Sequence, residues 1–246
     1  MIVAVVVVAA IVVLAVLLLS NPFQSSGSSV GAGTPVPYSQ AVPVAIAKGQ
    51  GAPGGPWTIV AATGIGVASG ISDSSPASFS GSGCTFSTPS GGSTVTTVLG
   101  TPSNATPGEV SSWVFFAKNA SSNAILLLDV SDGQASLWAL VSGCSGVSTF
   151  TGMSGISASG VVDSTTVAAA FNAAGGSAFL SNHTSVTHFF FLLGASSATE
   201  GTSFWEVSYT TCALTATGGS GSSLIGVYNA VSGSLFDGPT ATQETC

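Results

Sequence analysis

The most distinctive pattern in the chain is an unbroken apolar run at its beginning. Ile2–Leu19 carries no polar side chain over eighteen positions. As a helix it would be about 30 Å long, which matches the hydrocarbon core of a bilayer. Asn21-Pro22 ends the run, because the residue before a proline disfavours helix. A helix that is apolar on every side is not a surface helix of a soluble domain. We therefore predict that residues 1–21 form a helix that lies in lipid or is surrounded by copies of itself.

A polar, turn-rich stretch follows, and we predict that residues 22–56 form a linker. Gln24–Gly33 is rich in serine and glycine, a composition typical of flexible chain. Three prolines then favour extended backbone. Ala41–Ala47 between the loops is a candidate edge strand.

The clearest strand pattern lies in residues 110–142. Val110–Lys118, Ala124–Val130 and Ala135–Val141 are apolar or alternating runs, and Asp132-Gly133 has the residue types of a tight hairpin turn. They predict a three-stranded meander. Leu137, Ala139 and Val141 are expected on one face of its last strand. The Leu126-Leu127-Leu128 run indicates a central strand covered on both faces.

The remaining pattern predicts more strands and one short helix. Asp163–Gly176 has a capping residue at its start, an apolar body and Gly175 at its end, with a further turn near Ala178–Ser181. Trp57–Ile71 fits either a helix or a strand. Other predicted strands are Thr94–Leu99, Val186–Leu193, Ser203–Ala213, Ser223–Asn229 and Ser234–Asp237. The expected fold class is α+β: a long N-terminal apolar helix followed by a β-rich, sandwich-like domain, residues 57–246, with one or two short helices.

The apolar start followed by a β-rich domain resembles an archaeal type IV pilin. Those proteins lose a short basic leader just ahead of an apolar segment, which then forms the core of a filament with a β-rich domain outside. Bacterial type IV pilins usually carry a glutamate as the fifth mature residue, whereas this chain has Val5, which fits the archaeal branch. We expect that a basic leader was removed immediately before Met1, or that the chain never had one. The resemblance implies an assembly helix, whose positions include Ile2, Val5, Val8, Ile11, Val12, Leu14 and Leu18.

Charge is scarce along the whole chain. Charged residues are 4% of the sequence, against roughly 25% in ordinary soluble domains. Lys48 and Lys118 are the only basic residues, and the net charge is −7. Nucleic acid is therefore excluded as a partner, because neutralising phosphates needs lysine and arginine. Glycans, burial between neighbouring subunits or an acidic habitat are three explanations for the low surface charge.

Four cysteines are present, and their spacing favours disulfides. No C-x-x-C pair occurs, so a zinc site is not indicated. Two disulfides in an oxidising, extracytoplasmic setting are expected, with four buried free thiols as the alternative. Of the three possible connectivities we favour Cys84–Cys144 with Cys212–Cys246, because the second bond would hold the C-terminus.

No arrangement of residues indicates a catalytic or cofactor site, and we expect no enzyme activity, no cofactor and no metal. His183 and His188 have no carboxylate within ten residues. The motifs of nucleotide-binding loops and of the nucleophile elbow are missing. Asp129 and Asp132 are the closest carboxylate pair, and a calcium site there is a minor alternative to two solvated turn residues.

Three N-x-[ST] sequons make N-glycosylation a hypothesis for an exported chain. They begin at Asn104, Asn119 and Asn182, all in predicted turns.

The pattern and the resemblance together predict an extracellular structural subunit. It would enter the membrane before assembly, polymerise with copies of itself through the N-terminal helix, and expose the β domain for adhesion. The alternative is a singly anchored surface protein, possibly a viral envelope protein, that has the same helix but does not polymerise.

Overall fold

The structure is a computed structural model that describes residues 34–67, 73–76, 85–87, 96–99, 106–143, 145–184, 186–212 and 219–245. Within these ranges there are four α-helices and eleven strands. The helices are α1 Tyr38–Gln50, α2 Ser145–Thr151, α3 Ser164–Phe171 and α4 Ser177–Asn182. The strands are β1 Thr58–Val67, β2 Asp73–Pro76, β3 Thr85–Ser87, β4 Thr96–Leu99, β5 Ser112–Lys118, β6 Ala124–Ser131, β7 Gln134–Ser142, β8 Thr187–Leu193, β9 Phe204–Thr210, β10 Ser220–Asn229 and β11 Leu235–Thr245.

Nine of the described strands form one antiparallel sheet in the order β11-β10-β9-β8-β1-β5-β6-β7-β3. Strand β1 lies in the middle, paired with β5 on one side and with β8 on the other. Strands β8 to β11 on one side and β5 to β7 on the other are neighbours in both sequence and space, whereas β3 pairs with β7 at the edge out of sequence order. Strands β2 and β4 pair separately, and β4 packs against β1, β5 and β6.

Each face of the large sheet has its own apolar core. The first face is covered by α1, α3 and α4 and is rich in aromatic residues, among them Tyr38, Trp113, Phe115, Phe171 and Trp205. The second face carries α2, and its core includes Phe116, Phe150, Met153, Phe191 and Leu193. The strands between the two cores are buried on both sides. All six residues from Ser112 to Ala117 are buried, for example.

The predicted fold class is wrong. One wide sheet with short helices on its faces replaces the expected sandwich-like domain, and the only other described sheet is the β2–β4 pair. The predicted apolar helix, residues 1–21, lies outside the described residues. The longest helix that is described, α1, has 13 residues. No helix in the described ranges has the length and apolarity needed to cross a membrane.

The predicted linker, residues 22–56, is also wrong in its last part, because α1 occupies Tyr38–Gln50. The candidate edge strand Ala41–Ala47 lies inside this helix. Its buried residues are Tyr38, Ala41, Val42, Ala45 and Gly49, a spacing that places them on one helical face. Pro43 lies on the exposed side of the second turn, and its presence made an extended segment the simpler interpretation of the sequence.

The predicted meander is confirmed as β5, β6 and β7. Asp132 and Gly133 both have positive φ, 50° and 70°, as a two-residue hairpin turn requires. Leu126 and Leu128 face the first core and Leu127 the second, so β6 is covered on both faces as expected.

One detail of the meander was predicted wrongly. The register between β6 and β7 shifts between Leu127 and Leu128. The irregularity places Leu137 against the first core, whereas Ala139 and Val141 belong to the second. An extra residue in one strand reverses the alternation beyond it, and the sequence pattern does not reveal that insertion.

The remaining predictions mostly hold. Trp57–Ile71 contains strand β1, which resolves the choice between helix and strand. The helix predicted from Asp163 is α3, with Asp163 as its N-cap residue. Gly175 has φ 139° in the five-residue turn that leads to α4. Strands β4, β8, β9 and β10 fall where strands were expected, whereas β11 continues to Thr245, well beyond the predicted Ser234–Asp237.

Candidate assembly surface

Hydrogen bonds hold the first described residues, Thr34 and Val36, against the sheet. The Thr34 N–H donates to Asp132 Oδ1 at 2.8 Å, and Val36 forms a two-way backbone bridge with Val110 at 3.0 and 3.2 Å. The Trp113 indole N–H donates to the Val36 carbonyl at 3.0 Å. We call this end of the sheet, where β5 begins and the β6–β7 turn lies, the entry end. Thr34, the first described residue, is held at this end.

Helix α1 is held next to the entry by two side chains of the α3 N-terminus. The Ser39 N–H and hydroxyl donate to the two carboxylate oxygens of Asp163, at 2.9 and 3.0 Å. The Tyr38 N–H donates to Ser164 Oγ at 2.9 Å, and that hydroxyl donates to the Gly108 carbonyl at 2.7 Å. Asp163 also accepts from the Ser164 N–H at 2.9 Å. One carboxylate therefore satisfies N–H donors at two helix starts, where negative charge is favourable.

An aromatic cluster fixes the same region to the sheet. The Tyr38 ring lies edge-on to Trp113 and Trp205, with centroids 5.7 and 5.3 Å away. The two tryptophans are 6.2 Å apart. Gly64 of β1 makes room for them, because a Cβ there would lie 2.8 Å from the Trp113 ring. The entry point is thus rigidly attached to the domain core.

Three exposed apolar side chains lie at the other ends of the strands, around the β10–β11 turn. Val231, Leu235 and Phe236 are 66, 46 and 54% exposed and lie in and after the β10–β11 turn. The Phe236 ring packs against the buried Phe204 ring, with centroids 4.8 Å apart. Asn229 holds the turn by accepting from the N–H groups of Val231 and Ser232, at 2.9 and 3.0 Å. We call Val231, Leu235 and Phe236 the hairpin patch.

The edge beside the hairpin patch is protected against simple strand pairing. Strand β11 is exposed or half-buried along its whole length. Its pairing with β10 is irregular around Gly238-Pro239, and Pro239 has no N–H to donate. A proline and an irregularity are common ways to prevent edge-to-edge association. The β11 edge is therefore poorly suited to pairing with a strand of another chain.

Two buried ionisable groups, Glu206 and His188, lie on opposite faces of the sheet. Glu206 of β9 is flanked by Phe191 and Val227, and burial raises its pKa to about 8. His188 stacks on Tyr209 at 4.3 Å, and burial lowers the pKa of its ring to about 4. Glu206 points to the second face and His188 to the first. They therefore cannot act together.

The candidate ligands named from the sequence are also kept apart. Asp129 is buried and accepts from the Ser112 and Ser131 hydroxyls at 2.5 and 2.7 Å, while Asp132 accepts from the Thr34 N–H. Burial raises the pKa of Asp129, and the two serine hydrogen bonds offset part of that effect. His183 stacks on Phe179 at 4.2 Å. No group of three metal-ligating side chains occurs among the described residues.

The other predicted sites are described only in part. Cys212 is disulfide-bonded, while Cys84, Cys144 and Cys246 lie outside the described residues, so the predicted pairing stays a prediction. Of the sequons, Asn104 also lies outside them. The assembly positions Ile2, Val5, Val8, Ile11, Val12, Leu14 and Leu18 lie outside them too.

Sequence reasoning missed two features of this surface. The first is the hydrogen bond by which Asp163 caps the start of α1 at Ser39. These residues are more than a hundred positions apart, so no local sequence pattern indicates the contact. The hairpin patch had a signal, because Val231 is an apolar residue in a predicted turn. Comparison with known proteins adds nothing to this picture, since no family model, curated protein or solved structure matches the chain.

Proposed function

We propose that the chain is a structural subunit of an extracellular, type IV pilus-like filament, assembled through the apolar segment Ile2–Leu19. The observation that carries the proposal is the unbroken apolar run Ile2–Leu19 in a chain whose described residues pack around two cores of their own. An apolar surface of this size is not left in water, and in this proposal it packs against the same segment of other chains.

The fixed entry point supports this arrangement. Thr34 and Val36 hold the start of the domain through Asp132, Val110 and Trp113. Residues 20–33 would then join an inner apolar bundle to a domain of constant orientation. Subunits that meet through unlike surfaces give open helical assemblies, not closed rings.

The domain surface supports the same proposal. The chain has 11 charged residues among 246, so neighbouring domains repel one another little. The hairpin patch lies at the end of the sheet opposite the entry end. We assign it to contact with a second copy of this chain, because it carries the exposed large apolar side chains of the described residues.

Electron microscopy of the protein purified from cells that express it tests the proposal. We expect filaments from the unchanged chain and none from Val8→Arg, because a central arginine costs about 2.5–3.5 kcal/mol per subunit in an apolar environment. Val8→Leu is the matched control and should assemble normally. Dispersed single particles from the unchanged chain would instead support the singly anchored surface protein.

A second variant tests the contact made by the hairpin patch separately from the contact between apolar segments. Phe236→Ser should leave the domain folded, since the ring is 54% exposed, and should give shorter or more easily dissociated filaments. Filaments of unchanged length and stability would contradict the role of the hairpin patch but not the contact between apolar segments.

A further inference from the structure

Two of the three sequons lie in described parts of the chain, and they differ in every respect that matters for modification. Asn119 follows β5, and Asn182 is the last residue of α4. Both have the N-x-[ST] pattern that an N-linked glycan requires. The surroundings of the two asparagine side chains therefore decide which can carry a glycan.

The Asn119 side chain is part of the domain interior. It is 9% exposed. Its amide nitrogen donates to the Gly54 carbonyl, and its oxygen accepts from the Ser121 N–H at 2.6 Å. A sugar on that nitrogen would replace a donor N–H and displace the turn before Trp57, whose indole N–H donates to the Pro53 carbonyl at 3.0 Å. A chain modified at Asn119 could not form this fold, whether the sugar arrived before or after folding.

The Asn182 side chain is exposed, and so is the hydroxyl residue of its sequon, Thr184. The helix ends at Asn182, and the next residue is extended, with φ −135° and ψ 134°. The His183 ring is held back on the helix by a 2.8 Å hydrogen bond between Nδ1 and the Phe179 carbonyl. Nothing in the described structure has to move to admit a sugar at this asparagine.

We infer that Asn182 carries an N-linked glycan and that Asn119 is a structural residue that does not. This rests on the extracellular location within the proposed function, since an N-glycan is added to exported chains, but it does not depend on filament assembly. A hydrophilic glycan would supply the solvation that the scarce charges do not.

Mass spectrometry of protein isolated from its native cells tests the inference. Chymotrypsin cuts after the aromatic residues near both sequons, so the two asparagines fall on separate peptides. We expect a glycan mass on the peptide that contains Asn182 and the bare mass on the peptide that contains Asn119. Bare Asn182, or a glycan on Asn119, would overturn the assignment whether or not filaments form.

Matched variants remove the two sequons at their hydroxyl residues, Thr184 and Ser121, and a third variant replaces Asn182 itself. Thr184→Ala should lower the intact mass by one glycan, and Asn182→Gln should lower it by the same amount. Ser121→Ala should change the mass by the substitution alone, because Ser121 contributes its backbone N–H to Asn119 and alanine keeps that group. A glycan-sized loss in Ser121→Ala, or none in Thr184→Ala, contradicts the inference.

Discussion

The two faces of the sheet bury polar groups of different kinds. On the first face they are mostly parts of aromatic rings: the Trp113 and Trp205 indoles donate to backbone carbonyls, and the Tyr209 hydroxyl donates to Asn172. On the second face they are carboxylic acids, Asp129 and Glu206. Indole and phenol groups are neutral at ordinary pH, whereas carboxyl groups must stay protonated or find donors. The comparison teaches that one sheet can hold one core whose polar groups are mostly uncharged and another that contains carboxyl groups.

The largest expected effect comes from breaking the first core at Trp205. Its side chain is fully buried, touches Tyr38 and Trp113, and donates to the Val162 carbonyl at 3.0 Å. Trp205→Ala should lower the free energy of unfolding by about 3–5 kcal/mol, measured by urea denaturation.

The matched substitution on the second face is Phe191→Ala. Phe191 is 4% exposed and has no polar atom. We expect a smaller loss than for Trp205→Ala, because removing the indole also leaves the Val162 carbonyl without its donor. A larger loss at Phe191 would show that the second core contributes more to stability than the first.

The next effect is the pH dependence caused by Glu206. Its pKa in the folded state is about 8, above the ordinary value of 4.5. Its contribution to stability is therefore complete below pH 4.5 and is lost as the pH rises towards 8. Glu206→Gln should flatten that decline and, near pH 8, stabilise the domain by up to a few kcal/mol, as shown by urea denaturation across the pH range.

His188 on the first face gives stability the opposite dependence on pH. Its pKa is lowered from 6.5 to about 4, so its contribution is lost as the pH falls from 6.5 towards 4. Stability of the unchanged chain should therefore be highest between pH 4.5 and 6.5, and Glu206→Gln should move the maximum upwards. The exposed Asp237→Asn variant is the control, and a shift of equal size in that variant would remove Glu206 as the cause.

The smallest expected effect concerns the cap that joins the helices of the first face. Asp163→Ala removes acceptors from the starts of α1 and α3 and should cost about 1–2 kcal/mol of stability in thermal or urea unfolding. Asp163→Asn keeps an acceptor for both helices and should lose less. Equal losses in the two variants would show that charge, and not hydrogen bonding, holds the helices.

Elements that depend on neighbouring residues were predicted correctly, and elements that depend on contacts with distant residues were not. The meander was predicted well because its turn, Asp132-Gly133, and its apolar strands are local signals. The helix α1 was missed although Tyr38, Ala41, Val42 and Ala45 have helical spacing, because nearby prolines gave a stronger local signal for extended chain. Its start is completed by Asp163 and Ser164, far along the chain.

The sequence by itself determined the apolar run, the scarcity of charge, the β5–β7 meander and the three possible sequons, because each depends only on which side chains follow one another. Tertiary structure alone decided that nine of the described strands join into one sheet and not a sandwich, since pairing β1 with β8 as well as with β5 brings together residues more than a hundred positions apart, such as Ala61 and Leu193. It likewise decided that Asn119 is buried and Asn182 exposed. The two sequons share the same N-x-[ST] pattern, but packing removes water from the Asn119 side chain and not from the Asn182 side chain.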